Sequence, residues 1–264
     1  MTDKKRGVCV VILFLVSIAM IGWYYLNHES NTPSTEIKPN KNREQKPLKG
    51  GGVQSTSNTP INHSNLDYNH LTTAKGLVLP TIVRGHLSLN NITTADGLVL
   101  PTEVGGNLDL DGLTTAEGLV LPTKVGLLNL NGITTAEGLV LPTEARIGLN
   151  FRSLTTAKGL VFPKKIDGHL SLSNLTTAEG LVLPTEIGGS LYLNSLTTAK
   201  GLVLPTKVGG GLNLSSLTTT DGLKLKKVGW DINLSSLTAT EGLELPEEFV
   251  GRLILNRHIK PPTE

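Results

Sequence analysis

The sequence predicts a repeat solenoid, mainly β, of nine coils of 20–21 residues, preceded by an N-terminal transmembrane helix. Three observations carry that prediction. One unit, typified by residues 175–195 (LTTAEGLVLPTEIGGSLYLNS), starts again at Leu71, Ile92, Leu113, Ile133, Leu154, Leu175, Leu196, Leu217 and Leu237. Each unit holds two apolar triplets of alternating pattern, such as Leu181-Val182-Leu183 and Leu191-Tyr192-Leu193. The 264 residues include 29 glycines but only 4% aromatics, too few bulky side chains to fill one ordinary core of this length. A chain so composed buries each unit against its neighbours instead.

In order along the chain, residues 1–7 read as a cytoplasmic tip and residues 8–26 as a transmembrane anchor. The anchor carries no charge and, at ~1.5 Å per helical residue, spans roughly the ~30 Å bilayer core. Lys4, Lys5 and Arg6 precede it, and Trp23, Tyr24 and Tyr25 sit where an interfacial belt belongs. These charges favour a single-pass protein with a cytoplasmic N-terminus and an extracytoplasmic solenoid, although Lys38, Lys41, Arg43 and Lys46 pull the other way. A cleaved signal, with Ser17-Ile18-Ala19 in cleavage-site spacing and a secreted product, is the alternative. Against it, the apolar run continues seven residues past Ala19. Residues 27–65 are polar, lack apolar periodicity and read as a disordered stalk. Residues 66–259 form the solenoid and 260–264 a C-terminal tail.

Within one coil, Leu175, Ala178, Leu181, Leu183, Ile187, Leu191 and Leu193 are the expected core. The middle residue of Leu-Val-Leu points out, because the last two units replace it with Lys224 and Glu244 while keeping the flanking leucines. Thr176 followed by Glu179 has capping-box spacing and suggests one helical turn, closed by Gly180 in a left-handed conformation. Pro184 ends the first strand, and Gly188-Gly189 permits the next corner. Each coil is thus expected to run strand, corner, strand, helical turn. Nine coils at the ~4.8 Å strand spacing make a stack roughly 43 Å long. Residues 65–68 begin it as a half-coil, and Phe249, Leu253, Leu255 and Ile259 continue it before Arg257, His258 and Lys260 close it.

The run LPTEIGGSLYLNSLTTAEGLVLP resembles the leucine-rich repeats of bacterial surface and secreted proteins, sharing Leu-Pro, Leu-x-Leu and a further Leu. The resemblance covers about residues 66–259 and implies a binding module without catalysis. It departs from the family where Leu175 and its equivalents replace the buried asparagine, so no asparagine ladder is expected. The shortened helical side makes a right-handed β-helix-like solenoid a rival to a curved horseshoe.

Function in such a stack belongs to columns, the same position in successive coils. Glu103, Lys124, Glu144, Lys165, Glu186 and Lys207 alternate in sign, as do Glu137, Lys158, Glu179, Lys200 and Asp221, which reads as register and solubility rather than a charged site. Val78, Val99, Val120, Val140, Val161, Val182 and Val203 make an outward apolar ridge, read either as an interface or as plain strand propensity. The second strand displays the most variable outward set, including Asn150, Arg152, His169, Ser171, Ser190, Tyr192, Asn213 and Asn233, suited to adaptable hydrogen bonding. No catalytic cluster recurs, and His86 and His169 lie four coils apart, ~19 Å, too far to share a metal. No cofactor or metal is implied, and a formal charge of +2 does not indicate a nucleic-acid partner.

The leading expectation is therefore a non-enzymatic, membrane-anchored binding or adhesion protein whose solenoid takes a protein or surface-polymer ligand. A structural spacer or self-associating surface protein is the alternative. Ice binding, prompted by the threonine columns from Thr72 to Thr238, is a remote third, because Thr-Thr sits at a corner rather than on a flat strand.

Overall fold

The computed structural model describes residues 65–246 and 249–261, which form a parallel β solenoid of about nine turns with no helix among them. The expected anchor at 8–26 and the stalk up to residue 64 lie outside the described residues. Among the described residues no helix is long and apolar enough to cross a membrane.

β1 (Leu66–Asp67) opens the stack, and β2 (Ile82–Val83) and β3 (Leu87–Ser88) belong to the next coil. In the three coils that follow, the two strand positions fuse into β4 (Glu103–Asp109), β5 (Lys124–Asn129) and β6 (Glu144–Asn150). They separate again as β7 (Lys165–Ile166) and β8 (His169–Ser171), then β9 (Glu186–Ile187) and β10 (Leu191–Tyr192). β11 (Lys207–Val208), β12 (Leu212–Asn213), β13 (Lys227–Val228) and β14 (Ile232–Leu234) repeat that pattern, and β15 (Leu253–Leu255) ends it. One long sheet runs β1-β3-β4-β5-β6-β8-β10-β12-β14-β15, with β2 on β4, and a shorter one runs β7-β9-β11-β13. All pairs are parallel, so like residues stack: Leu170, Leu191 and Leu212 lie side by side. Where the unit starting at Leu113 is one residue short, register shifts on both sides of β5 absorb the difference.

The expected core holds. Leu175, Ala178, Leu181, Ile187, Leu191 and Leu193 are buried, and Leu183 packs half-buried against them. Phe151 of the fourth unit and Phe162 of the fifth meet edge to face, ring centroids 6.4 Å apart. The half-coil at the start is real, since β1 pairs with β3, and at the far end Phe249, Leu253, Leu255 and Ile259 pack partly buried on the last coil.

Three local expectations are corrected. The helical turn is absent: the Leu181 N–H donates to the Ala178 carbonyl at 3.1 Å, which closes a four-residue β-turn with Gly180 at φ +71° in its third position. The capping-box reading fails because the neighbouring threonine acts locally. Thr73, Thr156 and Thr198 hydroxyls each accept the N–H two residues on, a side-chain turn that competes with helix.

The first strand is displaced. Leu181-Val182-Leu183 joins no ladder, and the strand forms after the proline, at Glu186–Ile187. Leu181 N–H is used by the turn and Pro184 has none, so too few donors remain for a ladder. Across this column a single bridge forms, between Val140 and Val161.

An asparagine ladder also exists, two positions before the family's. Leu175 is fully buried where the family has asparagine, as read from sequence. At the preceding turn, however, Asn69, Asn90, Asp111 and Asn131 each accept the N–H of the corresponding residue in the next coil, at 2.8, 3.2, 2.9 and 3.1 Å. The sequence shows this column only as scattered polar turn residues, so its vertical continuity is invisible until the register is known.

Candidate functional site

Three surfaces contend for function: the valine ridge, the second-strand face and a groove over the glycine corner. The ridge is as expected in direction. Val78, Val99, Val120, Val140, Val161, Val182 and Val203 are each 70–87% exposed, in seven successive coils. At the usual ~4.8 Å spacing they line about 29 Å of surface. Lys224 and Glu244, both exposed, continue the column and end its apolar part. Because Leu-Val-Leu is not a ladder strand, strand propensity accounts for these valines less well than an interface does.

Of the second-strand residues, Asn150, Ser171, Tyr192, Asn213 and Asn233 share one column, His169 and Ser190 belong to the corner column before it, and Arg152 falls in the turn beyond β6. Most of their hydrogen-bonding capacity serves the stack. Asn150 donates to Asn129 Oδ1 at 2.6 Å. Ser171 is buried, its hydroxyl 3.1 Å from that of Ser173. Asn213 and Asn233 accept the N–H groups of Ser215 and Ser235, closing turns at 3.0 and 3.1 Å. Ser190 Oγ accepts the Gly211 N–H at 3.0 Å. Arg152 and His169 are exposed and Tyr192 is half-buried. His169 Nδ1 accepts the Ser190 N–H at 2.8 Å, which leaves the proton of a neutral ring on the outward Nε2. The His169 and Tyr192 rings lie 6.4 Å apart, tilted by 42°. Asn194, at the turn, is the weak point of this face: its Oδ1 is buried without a hydrogen-bond partner, because Ser215 N–H goes to Asn213 instead.

The charge columns behave as register. Glu103 faces Lys124, Lys124 faces Glu144, and Glu186 lies between Lys165 and Lys207. Lys227 then follows Lys207 and ends the alternation. Lys124 and Glu144 close to 2.9 Å, and this hydrogen-bonded carboxylate raises the lysine above its ordinary range. Lys165 turns to Asp167 in its own coil at 2.7 Å and is raised by that bond. The threonine columns are structural too. The Thr155, Thr218 and Thr238 hydroxyls donate to main-chain carbonyls of the preceding coil.

The third surface was missed by sequence reasoning. Over the corner between the two strands, a groove of about 430 Å³ opens on a floor of Gly188, Gly189, Gly209, Gly210 and Gly211, with His169 at one end and Trp230 and Asp231 at the other. Trp230 is 69% exposed. Asp231 is held by Arg252, whose Nη2 and Nε lie 2.7 and 3.1 Å from Oδ2, and this pairing keeps the carboxyl below the ordinary aspartate range. The available signal was Trp230 itself, a tryptophan where most other units carry glycine.

Among the described residues no group of three or more His, Cys, Asp or Glu could hold a metal ion. Comparison with protein-family models, with curated proteins and with solved structures finds no match to this chain.

Proposed function

We propose that the protein is a non-catalytic binding solenoid that meets a protein partner along its valine ridge. The observation that carries this reading is the unbroken run of seven exposed valines in a column that the backbone does not require to be β-branched. Fully burying an aliphatic side chain is worth ~1.5–3 kcal/mol, so covering seven valines already partly buried offers on the order of 7–12 kcal/mol gross. That exceeds the lower end of the ~4–15 kcal/mol lost on association, so the ridge suits a moderate-affinity contact. In this reading residues 8–26 anchor the chain, the stalk sets the solenoid away from the membrane, and the likeness to leucine-rich repeats reflects a shared use as a display surface.

A second reading, a self-associating surface protein or spacer, is favoured by the near-identity of the coils. Two ridges related by a two-fold axis present the same surface to each other. One experiment separates the readings. A photo-crosslinking residue placed at Val140 or Val161 in the full chain should capture a partner, and the same residue at Thr177 should not. A product at twice the chain mass identifies self-association. Equal capture from ridge and control positions, or none from either, refutes the ridge as the contact surface. Under the spacer reading, deleting two whole coils leaves partners unchanged.

A further inference from the structure

The groove over the glycine corner lies away from the valine ridge and has features that stacking alone does not demand. At Gly188 and Gly209 a Cβ would sit 2.2 Å from the carbonyl oxygen of the coil beneath, and at Gly189 2.7 Å from the backbone carbon of Gly168. Those glycines are needed for the coils to approach. Gly211 is different: its nearest neighbour is the Asp231 carbonyl at 3.0 Å, and its φ is not left-handed. The equivalent positions in other coils carry His86, Asn107, Leu127, His169, Ser190, Asp231 and Arg252. A further glycine stands at Gly148, where φ is +150° and a Cβ would meet the His169 carbonyl at 2.4 Å. The column otherwise accepts side chains, and Gly211 leaves a gap.

Trp230 departs in the opposite sense. Its column holds Gly85, Gly106, Gly168, Gly189, Gly210 and Gly251, with a side chain at Ile147. At Gly106, Gly168, Gly189, Gly210 and Gly251 the backbones meet closely, yet a tryptophan is accommodated there. Its N–H bond to the Gly210 carbonyl is 3.1 Å, against 2.8–2.9 Å for Gly106, Gly189 and Gly210. The ring gains little from the core, since most of it stays exposed. One coil therefore omits a side chain while its neighbour adds the largest one, and together they make a groove with an aromatic wall.

We propose that this groove binds a pyranose ring of a neutral carbohydrate, stacked on Trp230 with its hydroxyls on His169, Ser190 and Asp231. The polar groups are of the right kinds. His169 presents Nε2–H as a donor once Nδ1 accepts Ser190 N–H, and Ser190 keeps its own O–H to donate while its lone pair accepts Gly211 N–H. Asp231 keeps one acceptor site, the second lone pair of Oδ1, since Oδ1 already accepts the Arg252 main-chain N–H and Oδ2 both guanidinium N–H groups. The charge balance selects a neutral ligand. Asp231 is already matched by Arg252, which disfavours a cationic side chain against the tryptophan, and no other cation lines the groove to attract an anion. Its volume falls within the ~300–1,000 Å³ of small-molecule sites. The groove opens to solvent, so one ring of a longer chain can sit in it with the rest of the chain outside.

The test is tryptophan fluorescence of the full-length chain in a Trp23→Phe background, titrated with cellotetraose, chitotetraose and maltotetraose. At least one should shift Trp230 emission saturably, at millimolar or lower concentration. Trp230→Gly restores the residue usual in that column, and Gly211→Asn places there the residue that Asn107 already supplies in another coil, so both should fold. Each should weaken retention on the matching immobilised polysaccharide at least tenfold, while Val161→Lys should leave it unchanged. If none of the three sugars shifts the emission, or if Gly211→Asn binds as wild type, the proposal is overturned. A shift produced by a lysine-rich peptide or by AMP, and by none of the sugars, also overturns it. Because the ridge variant is a separate arm, failure here leaves the ridge reading standing.

Discussion

Three glycines in one coil give the sharpest test of how the coils stack, because each is glycine for a different reason. Gly201 has φ +78° and nothing within 4 Å of the position a Cβ would take. Alanine there pays only the left-handed backbone, ~1–2 kcal/mol, partly offset by the ~0.4–1 kcal/mol gained from a stiffer unfolded chain. A net loss near 1 kcal/mol follows. Gly209 has an ordinary φ, but its Cβ would lie 2.2 Å from the Gly188 carbonyl oxygen, 1.2 Å short of the 3.4 Å at which ordinary contact begins. The coil must lift, stretching the 2.7 Å bond from Gly209 N–H to the Ile187 carbonyl and the 2.9 Å bond above it from Gly229 to Val208. Overpacking at ~1–3 kcal/mol with one inter-coil bond lost at ~1–3 kcal/mol gives about 4 kcal/mol. Gly211→Ala meets only the 3.0 Å contact and should change stability by well under ~1 kcal/mol. Urea unfolding followed by far-ultraviolet circular dichroism ranks the three by midpoint. If Gly209→Ala proves milder than Gly201→Ala, the close approach of backbones at this corner is wrong.

Further outcomes follow from the same geometry. Leu191→Ala, at a fully buried position with leucine above and below, should lose about 3 kcal/mol, read from the same unfolding curves. Val161→Lys should leave the midpoint unchanged, because the side chain is exposed and Lys224 occupies the same column in the eighth of the nine units. Lys124→Gln should also leave it unchanged at low and high salt, since both ends of the Lys124–Glu144 pair are about half exposed. Asp231 has its folded pKa depressed by Arg252, so the pair's contribution is present above the ordinary aspartate pKa of ~3.9 and is lost as pH falls through the folded value. A nuclear magnetic resonance titration should place the Asp231 midpoint below that ordinary value, and Arg252→Gln should move it back up toward that value, the main-chain N–H of residue 252 still holding it partly down.

Much of this architecture was legible before any coordinates, for a physical reason: a solenoid repeats its environment, so nine copies report nine times on each position. Lys224 and Glu244 fixed the direction of the valines because a charge could not stand in the valine position if that position were buried. The alternating Glu103-to-Lys207 column revealed which residues would be neighbours. What the repeats concealed was the main chain's own bonding. Thr-Thr-Ala-Glu-Gly fits a capping box and a glycine-closed β-turn equally well by residue type, and the choice lies in which carbonyl receives the leucine N–H. Likewise, Leu-Val-Leu alternates as a strand does, but the turn before it and the proline after it take the donors a ladder needs. The groove was hidden for a different reason. It depends on a residue omitted at Gly211 and one added at Trp230, in adjacent coils, and becomes visible when the corner columns are aligned by register.

The claim beneath all of this is that residues one unit apart stand beside each other in a parallel stack. Disulfide trapping measures it directly in the full chain with Cys9→Ser as background. Val140 and Val161 face each other across one bridge, so Val140→Cys with Val161→Cys places two thiols one strand spacing apart, ~4.8 Å between Cα atoms, inside the range a disulfide spans. Val140→Cys with Val182→Cys puts them two coils apart, ~9.6 Å, which is too far. The account requires rapid oxidation to an intramolecular disulfide in the first pair and none in the second. Equal trapping in both pairs, or trapping in the second alone, would contradict it.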